Sequence, residues 1–350
     1  MVLVNMPGMS LFAAALLALG LSAWLTHLFC RPSSRFYMPD KPNRRSLHKR
    51  PKPRSGGIAI LAGLLAGGMV VALVHGVLSF AWLLAALVPV VGVALLDDRR
   101  GVPVPVRLLA QFAGAAVLVW GGSFASRNGL LPGVETSWLL WFGTLILLAY
   151  VVWMINLYNF MDGMDGFAAG MGVIGFGFLG VIGWQAGNSL FAQSCLVVVS
   201  AAGGFLIFNF PPARIFMGDA GSSTLGFLAA VFSLWGAREE IFPLWAALLI
   251  FSPFIVDASV TLVRRLVCGE VIWKAHKTHY YQKLVQAGWG HRKTVLVEYV
   301  IMLGCGLTAL LTLHATVTVL AVTLAGWVLF YIVFFFWVTR YASGRHAGSV

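Results

Sequence analysis

The sequence predicts an all-α polytopic membrane protein of about eleven transmembrane helices, and three observations predict it. Hydrophobic residues make up 59% and charged residues only 10% of the 350, where a soluble domain carries roughly 25% charge. Mean hydropathy is +0.87. Apolar windows long enough to cross a hydrocarbon core, which takes about 20 residues as a helix, recur along the whole chain, and no internal repeat is visible among them.

The windows fall near 9–30, 57–77, 79–96, 106–122, 137–157, 167–185, 189–208, 219–236, 241–263, 294–314 and 316–338. The first has no basic segment before it and no clear small-residue cleavage site, so it reads as a retained span and not a signal peptide. The third ends at Asp97 and Asp98, and the fifth opens beside Trp138 and Trp141, which read as an interfacial belt. Asp162 and Asp165 follow the fifth; Pro211 and Pro212 force a break after the seventh; Asp219 opens the eighth. The chain is one integral membrane domain, 1–350, with longer loops near 31–56, 97–106, 158–166, 209–218 and 264–293. Cys30, Cys195, Cys268 and Cys305 stand singly, without zinc or disulfide spacing, and read as small packing residues.

Basic residues set the expected orientation, because cytoplasmic loops collect Lys and Arg. With the N-terminus outside and the C-terminus in the cytoplasm, one face receives every one of the 24 basic residues except Arg127 and Arg238. The net charge of +12 therefore lies on that face, where anionic membrane lipids are attracted by about 1 kcal/mol per basic residue. Asp97, Asp98, Asp162, Asp165, Asp219 and Asp257 fall on the same side. Carboxylates in or beside spans cost about 2.5–3.5 kcal/mol each on insertion scales, and so mark a functional site or pair with a cation. The bland reading pairs Asp97 and Asp98 with their neighbours Arg99 and Arg100.

Three stretches argue against that reading. In NLYNFMDGMDGF, Asn156 to Phe167, the residues Asn159, Asp162 and Asp165 recur every three positions and share one side of a helical turn. Gly163 and Gly166 place bare N–H groups beside those oxygens, a combination that suits Mg2+, with Mn2+ as an alternative. In FNFPPARIFMGDAGSSTLGF, Gly218 and Asp219 begin a helix whose N-terminus is either an anion site or a plain cap and turn. In HKTHYYQKLVQAGWGHRKT, His276, Lys277, His279 and His291 offer hydrogen bonds to phosphate or sugar; nothing nearby completes a tetrahedral zinc site. Together they predict a cytoplasm-facing, Mg2+-dependent site for a phosphorylated or pyrophosphate substrate at the membrane surface.

The motifs KPNRRSLHKRPKPRSGGIAI at Lys41, DDRRG at Asp97, VRLLAQ at Val106, NLYNFMDGMDG at Asn156, FMGDAGS at Phe216 and HKTHYYQKL at His276 stand in one order. They resemble the polyprenyl-phosphate N-acetylhexosamine-1-phosphate transferases, glycosyltransferase family 4, the group that includes MraY and WecA. The phrasing is most similar to bacterial members that start O-antigen synthesis for lipopolysaccharide. The resemblance implies a multi-pass enzyme of the bacterial inner membrane with its site facing the cytoplasm. It would transfer a sugar-1-phosphate from a UDP-N-acetylated hexosamine, or its 6-deoxy counterpart, to undecaprenyl phosphate and release UMP. Nucleic acid is not an expected partner, and neither the donor sugar nor the oligomeric state is legible.

By the same resemblance, Asp219 is the principal Mg2+ ligand and Asn159 a second. Asp97 and Asp98 sit beside the acceptor phosphate, with Asp97 accepting its proton. Asp162 contacts the nucleotide sugar, His276 and His279 lie over the donor phosphates, and Arg107 meets phosphate where some members have Lys. Asp165, Lys277, Gly218 and His291 complete the substrate-binding set. Two other classes remain as alternatives. A secondary transporter for an organic anion or nucleotide sugar would bind at midplane within repeats, and a CDP-alcohol phosphotransferase would carry a DG-x2-AR run that this chain lacks.

Overall fold

The computed structural model describes residues 7–40, 51–76, 81–122, 137–271 and 276–347. Its elements are the helices α1 (Pro7–Phe29), α2 (Gly56–Val74), α3 (Ala81–Arg100), α4 (Val104–Gly121), α5 (Ser137–Met161), α6 (Phe167–Gln185), α7 (Ser189–Asn209), α8 (Asp219–Arg238), α9 (Leu244–Ile250), α10 (Ser252–Val267), α11 (Tyr280–Leu284), α12 (Gly290–Thr312) and α13 (Val317–Ala347). The strands β1 (Pro39–Asp40) and β2 (Lys52–Pro53) pair antiparallel between α1 and α2. Of the basic motif at Lys41, residues 41–50 lie outside the described residues, as does Arg127.

Among the described residues nine helical stretches are long and apolar enough to cross a membrane, ten if α9 and α10 count as one. Within the described residues every expected window coincides with helix, with three differences. α3 finishes in four successive charged residues, Asp97 to Arg100, so its last turn belongs to the interface. The ninth window is no straight span: α9 and α10 meet at 76°. Pro253 has no N–H to return to Leu249, and the Ser252 hydroxyl donates to that carbonyl instead, at 2.7 Å. The tenth is headed by a short helix: α11 leads into α12 across a kink at Gly288, where φ is +97°.

α8 is the buried axis. Every residue from Ala220 to Leu234 is buried, as a helix apolar on all faces must be, and α2, α3, α5, α6 and α9 pack around it. Its small residues let neighbours approach backbone to backbone. At Gly57 of α2, an added methyl carbon would stand 2.6 Å from the Gly221 Cα. Thr224 and Ser233 return their hydroxyls to carbonyls of their own helix, both at 2.6 Å, which keeps the axis free of unpaired polar groups. α13 is the opposite case: Val317, Val322, Leu329, Ile332 and Phe336 are exposed to the lipid side. One end of it is fastened by Phe335 stacked on Tyr280, ring centroids 3.8 Å apart.

Trp138 and Trp141 are exposed at the start of α5, in keeping with an interfacial belt. The four cysteines are free; Cys195 and Cys305 are packed inside, whereas Cys268 is exposed at the end of α10 and is no packing residue. Alternating helix directions gather the ends of α3, α5, α7 and α10 and the starts of α2, α4, α6, α8 and α11 at one end of the molecule, where side chains bond across them.

The close approach at Gly57 is testable. Gly57→Ala should lower the melting temperature in detergent by several degrees, since overpacking costs about 1–3 kcal/mol. Gly68→Ala on the same helix, where an added methyl meets nothing within 4 Å, should melt at or slightly above the native temperature.

Candidate active site

Backbone pairing builds the site first. Arg54 N–H donates to Met38 O at 2.9 Å, Phe216 N–H to Pro53 O at 2.7 Å, and Gly56 and Gly57 N–H to Phe216 and Met217 O at 3.0 and 2.7 Å. The segment 53–57 is thereby laid along 216–217, and Arg54 arrives beside the start of α8. Gly218 makes the turn there with φ +76°, and a side chain at that position would run into Arg54 O and the Asp98 carboxyl. Gly218 therefore shapes the site through its backbone; no other residue combines that φ with so little bulk.

The paired aspartates part company. Asp98, its side chain 2% exposed, accepts the N–H groups of Asp219 and Ala220 at 2.9 and 3.0 Å and the Arg54 guanidinium at 2.7 Å. Its carboxylate occupies the N-terminus of α8, the position where a free anion would otherwise bind. Asp97 turns the other way, accepting from Val102 N–H and from Arg107 at 2.8 Å. Arg99 and Arg100 are exposed; the partners of Asp97 stand five and ten positions on, and those of Asp98 come from 44 positions away or more.

Asp219 lies between these groups. Its oxygens are 3.5 Å from Arg54 and 3.7 Å from Arg107, and its carboxyl is within hydrogen-bond reach of that of Asp97. Asn159, from the end of α5, donates to the Ser222 hydroxyl at 3.2 Å. Asp97, Arg107, Asn159, Asp219 and Ser223 line a cleft that also has Val93, Ala94, Val104, Leu108 and Phe160 in its lining. At its back Asn156 donates to Gln111 at 2.6 Å. Half-buried Asp162 has its pKa pushed well above the carboxylate range, by burial and then by the negative charges of Asp219 and Asp98.

The donor set fits a hard divalent cation. Two carboxylates in contact repel unless a proton or cation lies between them, and Asn159 contributes a third hard oxygen on the same cleft. Among the described residues no cluster of three or more His, Cys, Asp or Glu side chains could hold a metal. Such a site suits an ion that binds through one or two carboxylates and completes its shell with water and phosphate oxygens.

Asp165 and His291 are brought to each other. Asp165 accepts Ala213 N–H at 2.9 Å and lies 3.1 Å from His291 Nδ1 and 3.7 Å from Lys52. Next to it, Gly166 N–H donates to Asn209 Oδ1 at 2.9 Å and Gly166 O accepts from the Tyr299 hydroxyl at 2.6 Å. These contacts lock the loop that carries Asp162. Burial alone would raise the Asp165 pKa, but the nearness of His291, the hydrogen bond from Ala213 and the charge of Lys52 hold it below the usual carboxylate value.

The third stretch lies over α10 and α11. His276 contacts the Thr278 hydroxyl at 2.9 Å, and burial, followed by repulsion from His279 and Arg265, lowers its pKa to about 4; it is neutral at physiological pH. Lys277 is half-buried and its carbonyl accepts from Gln286 at 2.9 Å. His279 is buried, with its ring 4.8 Å from that of His276 and 3.2 Å, through Nδ1, from Asp257. Sequence reasoning passed over Arg54 and Lys52, two cations among nine in a basic segment. Their advance signals are membership of the motif at Lys41 and proximity to the Gly-Gly pair that starts α2.

The Glycosyl transferase family 4 profile matches residues 79–237. A Bacillus subtilis protein named "Probable undecaprenyl-phosphate N-acetylglucosaminyl 1-phosphate transferase" is 32% identical over 79% of this chain and 78% of its own. A Mycobacterium leprae decaprenyl-phosphate N-acetylglucosaminephosphotransferase is 33% identical over 74% of this chain and 72% of its own. An Escherichia coli K12 undecaprenyl-phosphate alpha-N-acetylglucosaminyl 1-phosphate transferase is 30% identical, with 74% and 72% covered.

The two aspartates should separate on mutation. Asp98→Asn removes acceptor charge from two backbone N–H groups and Arg54 and should lower the melting temperature, while Asp97→Asn relieves repulsion from Asp219 and should melt unchanged or higher. For Asp165 the depressed pKa gives stability that is present above the unfolded value of about 4 and is lost as pH falls through the lower folded value. Melts of Asp165→Asn should therefore lie below native at pH 7 and converge with it in strong acid.

Proposed function

We propose that this chain, which belongs to glycosyl transferase family 4, the polyprenyl-phosphate N-acetylhexosamine-1-phosphate transferases, joins a sugar-1-phosphate to undecaprenyl phosphate. The donor is a UDP-N-acetylhexosamine or a 6-deoxy relative, UMP leaves, and the product begins an O-antigen or other cell-envelope glycan. The site faces the cytoplasm from the bacterial inner membrane, with the N-terminus outside and the C-terminus inside, in keeping with the distribution of Lys and Arg. N-acetylglucosamine, named for the relatives above, is the donor sugar to test first.

One observation carries the reading: a cleft lined both by Asp97, Asp219, Asn159 and Arg107 and by aliphatic side chains. A lipid phosphate needs both kinds of lining, polar for its head and apolar for its first isoprene units. Phosphoryl transfer in turn requires placement and charge neutralisation more than covalent help from the protein. An acceptor phosphate oxygen attacks the sugar-bearing phosphorus, the bridging P–O bond breaks, and its electrons leave on UMP. Asp97, which faces the cleft, takes the proton of any singly protonated acceptor. Asp98, turned into the start of α8, positions Asp219 and Arg54 for the same event. Arg54 and Arg107 stand where pyrophosphate charge would gather, and Asp162 lies beside them on the turn that faces the nucleotide sugar. Asp219 and Asn159 would hold Mg2+, which when bound supplies further neutralisation of the pyrophosphate.

UMP release by purified protein, given undecaprenyl phosphate, UDP-N-acetylglucosamine and Mg2+, is the test. Release should require both lipid and metal, stop with EDTA, resume with Mn2+, and fall on the order of 10²-fold or more in Asp219→Asn. Release independent of lipid, or untouched in that variant, would sink the proposal.

A further inference from the structure

Asp257, on α10, is a buried carboxylate that no step above uses. Four donors converge on it. Oδ1 receives the Tyr280 N–H at 3.1 Å, the Thr261 hydroxyl at 3.1 Å and His279 Nδ1 at 3.2 Å; Oδ2 receives the Tyr281 N–H at 3.2 Å. The side chains of Asp257 and His279 are 6% and 4% exposed. A carboxylate accepts from every direction, so whatever faces it must donate, and the ring nitrogen turned toward it carries the proton.

The ring so fixed adjoins the cleft. His279 is stacked on Tyr281, centroids 5.8 Å apart and planes 19° apart, and lies 6.4 Å from Phe160, which lines the cleft beside Asn159. The Tyr281 hydroxyl donates to Phe160 O at 3.2 Å, tying α11 to the turn that carries Asn159 and Asp162. With Nδ1 turned to Asp257, Nε2 is the ring's second nitrogen, and the His279 side chain stands at the N-cap of α11 against the Gln282 backbone.

We propose that Asp257 is a positioning residue: it holds His279 as the Nδ1–H tautomer and presents Nε2 to the phosphate or hydroxyl oxygens of the nucleotide sugar. The proposal rests on the donor-binding reading of the His276–Lys293 loop. It assigns Asp257 no contact with substrate.

Two measurements test it. In steady-state assays of UMP release, Asp257→Asn should lower kcat about 10²-fold, as loss of a tautomer-setting carboxylate does elsewhere, while KM for undecaprenyl phosphate stays put. Asp257→Asn in the His279→Ala background should then cost nothing further. A kcat within twofold of native, or losses that multiply in the double variant, would overturn the proposal. Where the Asn variant does not fold, Asp257→Glu carries the same cycle: it keeps the charge and displaces the ring. Magic-angle-spinning NMR of 15N-histidine protein near pH 8, the His279 signal assigned with His279→Ala, reads the tautomer without turnover. Nδ1–H in native protein, lost in Asp257→Asn, supports the proposal and Nε2–H refutes it. Absence of UMP release from native protein would instead count against the reaction, and the spectrum would still decide the tautomer.

Discussion

The Asp98 carboxylate on the first two N–H groups of α8 is the contact on which the site depends. It joins the end of α3 to the start of a helix 121 positions later in the chain, and Arg54, from a third segment, closes the group at 2.7 Å. Orphan N–H groups at a helix start need an acceptor, and at this depth water is a poor one. Because a side chain supplies it, Asp219 has its backbone pinned and its carboxylate turned outward toward Asp97, Arg107 and the cleft. The buried axis of α8, packed on all sides by small residues, carries that placement into the rest of the bundle.

The charge in the site is arranged by distance along the chain. Asp97, Asp98 and Asp219 share two cations, Arg54 and Arg107, and burial beside these acids pushes Asp162 toward its neutral form. In the proposed reaction a bound divalent cation would balance the remaining charge, on a donor set of two carboxylates and an amide oxygen. The loop of Asp165 uses the same chemistry for another end. There Oδ2 accepts Ala213 N–H with Lys52 beside it, the Asp165 N–H donates to His291 Nδ1 at 3.3 Å, and the result is a rigid turn.

Much of this was legible in the sequence, for identifiable reasons. Spans announce themselves because a bilayer demands some twenty apolar residues each, and the clustering of aspartates on one face followed from counting alternations. Asp97, Asp219, Asn159 and Arg107 do share one cleft. What stayed hidden depends on orientation or on long-range pairing. Adjacent Asp97 and Asp98 look equivalent in a string, yet one faces the cleft and the other caps a helix, since neighbours on a helix point about 100° apart. Arg54 looks like any cation of a basic segment until 53–57 is laid along 216–217. The bend between α9 and α10 hides in a window whose hydropathy is continuous, because a missing N–H at Pro253 leaves hydropathy unchanged.

Arg54 and Arg107 already hold carboxylates before any ligand arrives, at 2.7 and 2.8 Å. Under the proposed reaction an incoming phosphate would trade partners with Asp97, Asp98 or Asp219 and gain only the difference between two charge-assisted hydrogen bonds. The reverse trade would be equally cheap: as a product anion departs, each guanidinium would fall back on an acid that has stayed within reach. Such a site would limit its own grip on polyanions, so an enzyme that both takes in and discharges pyrophosphates would avoid being trapped by either.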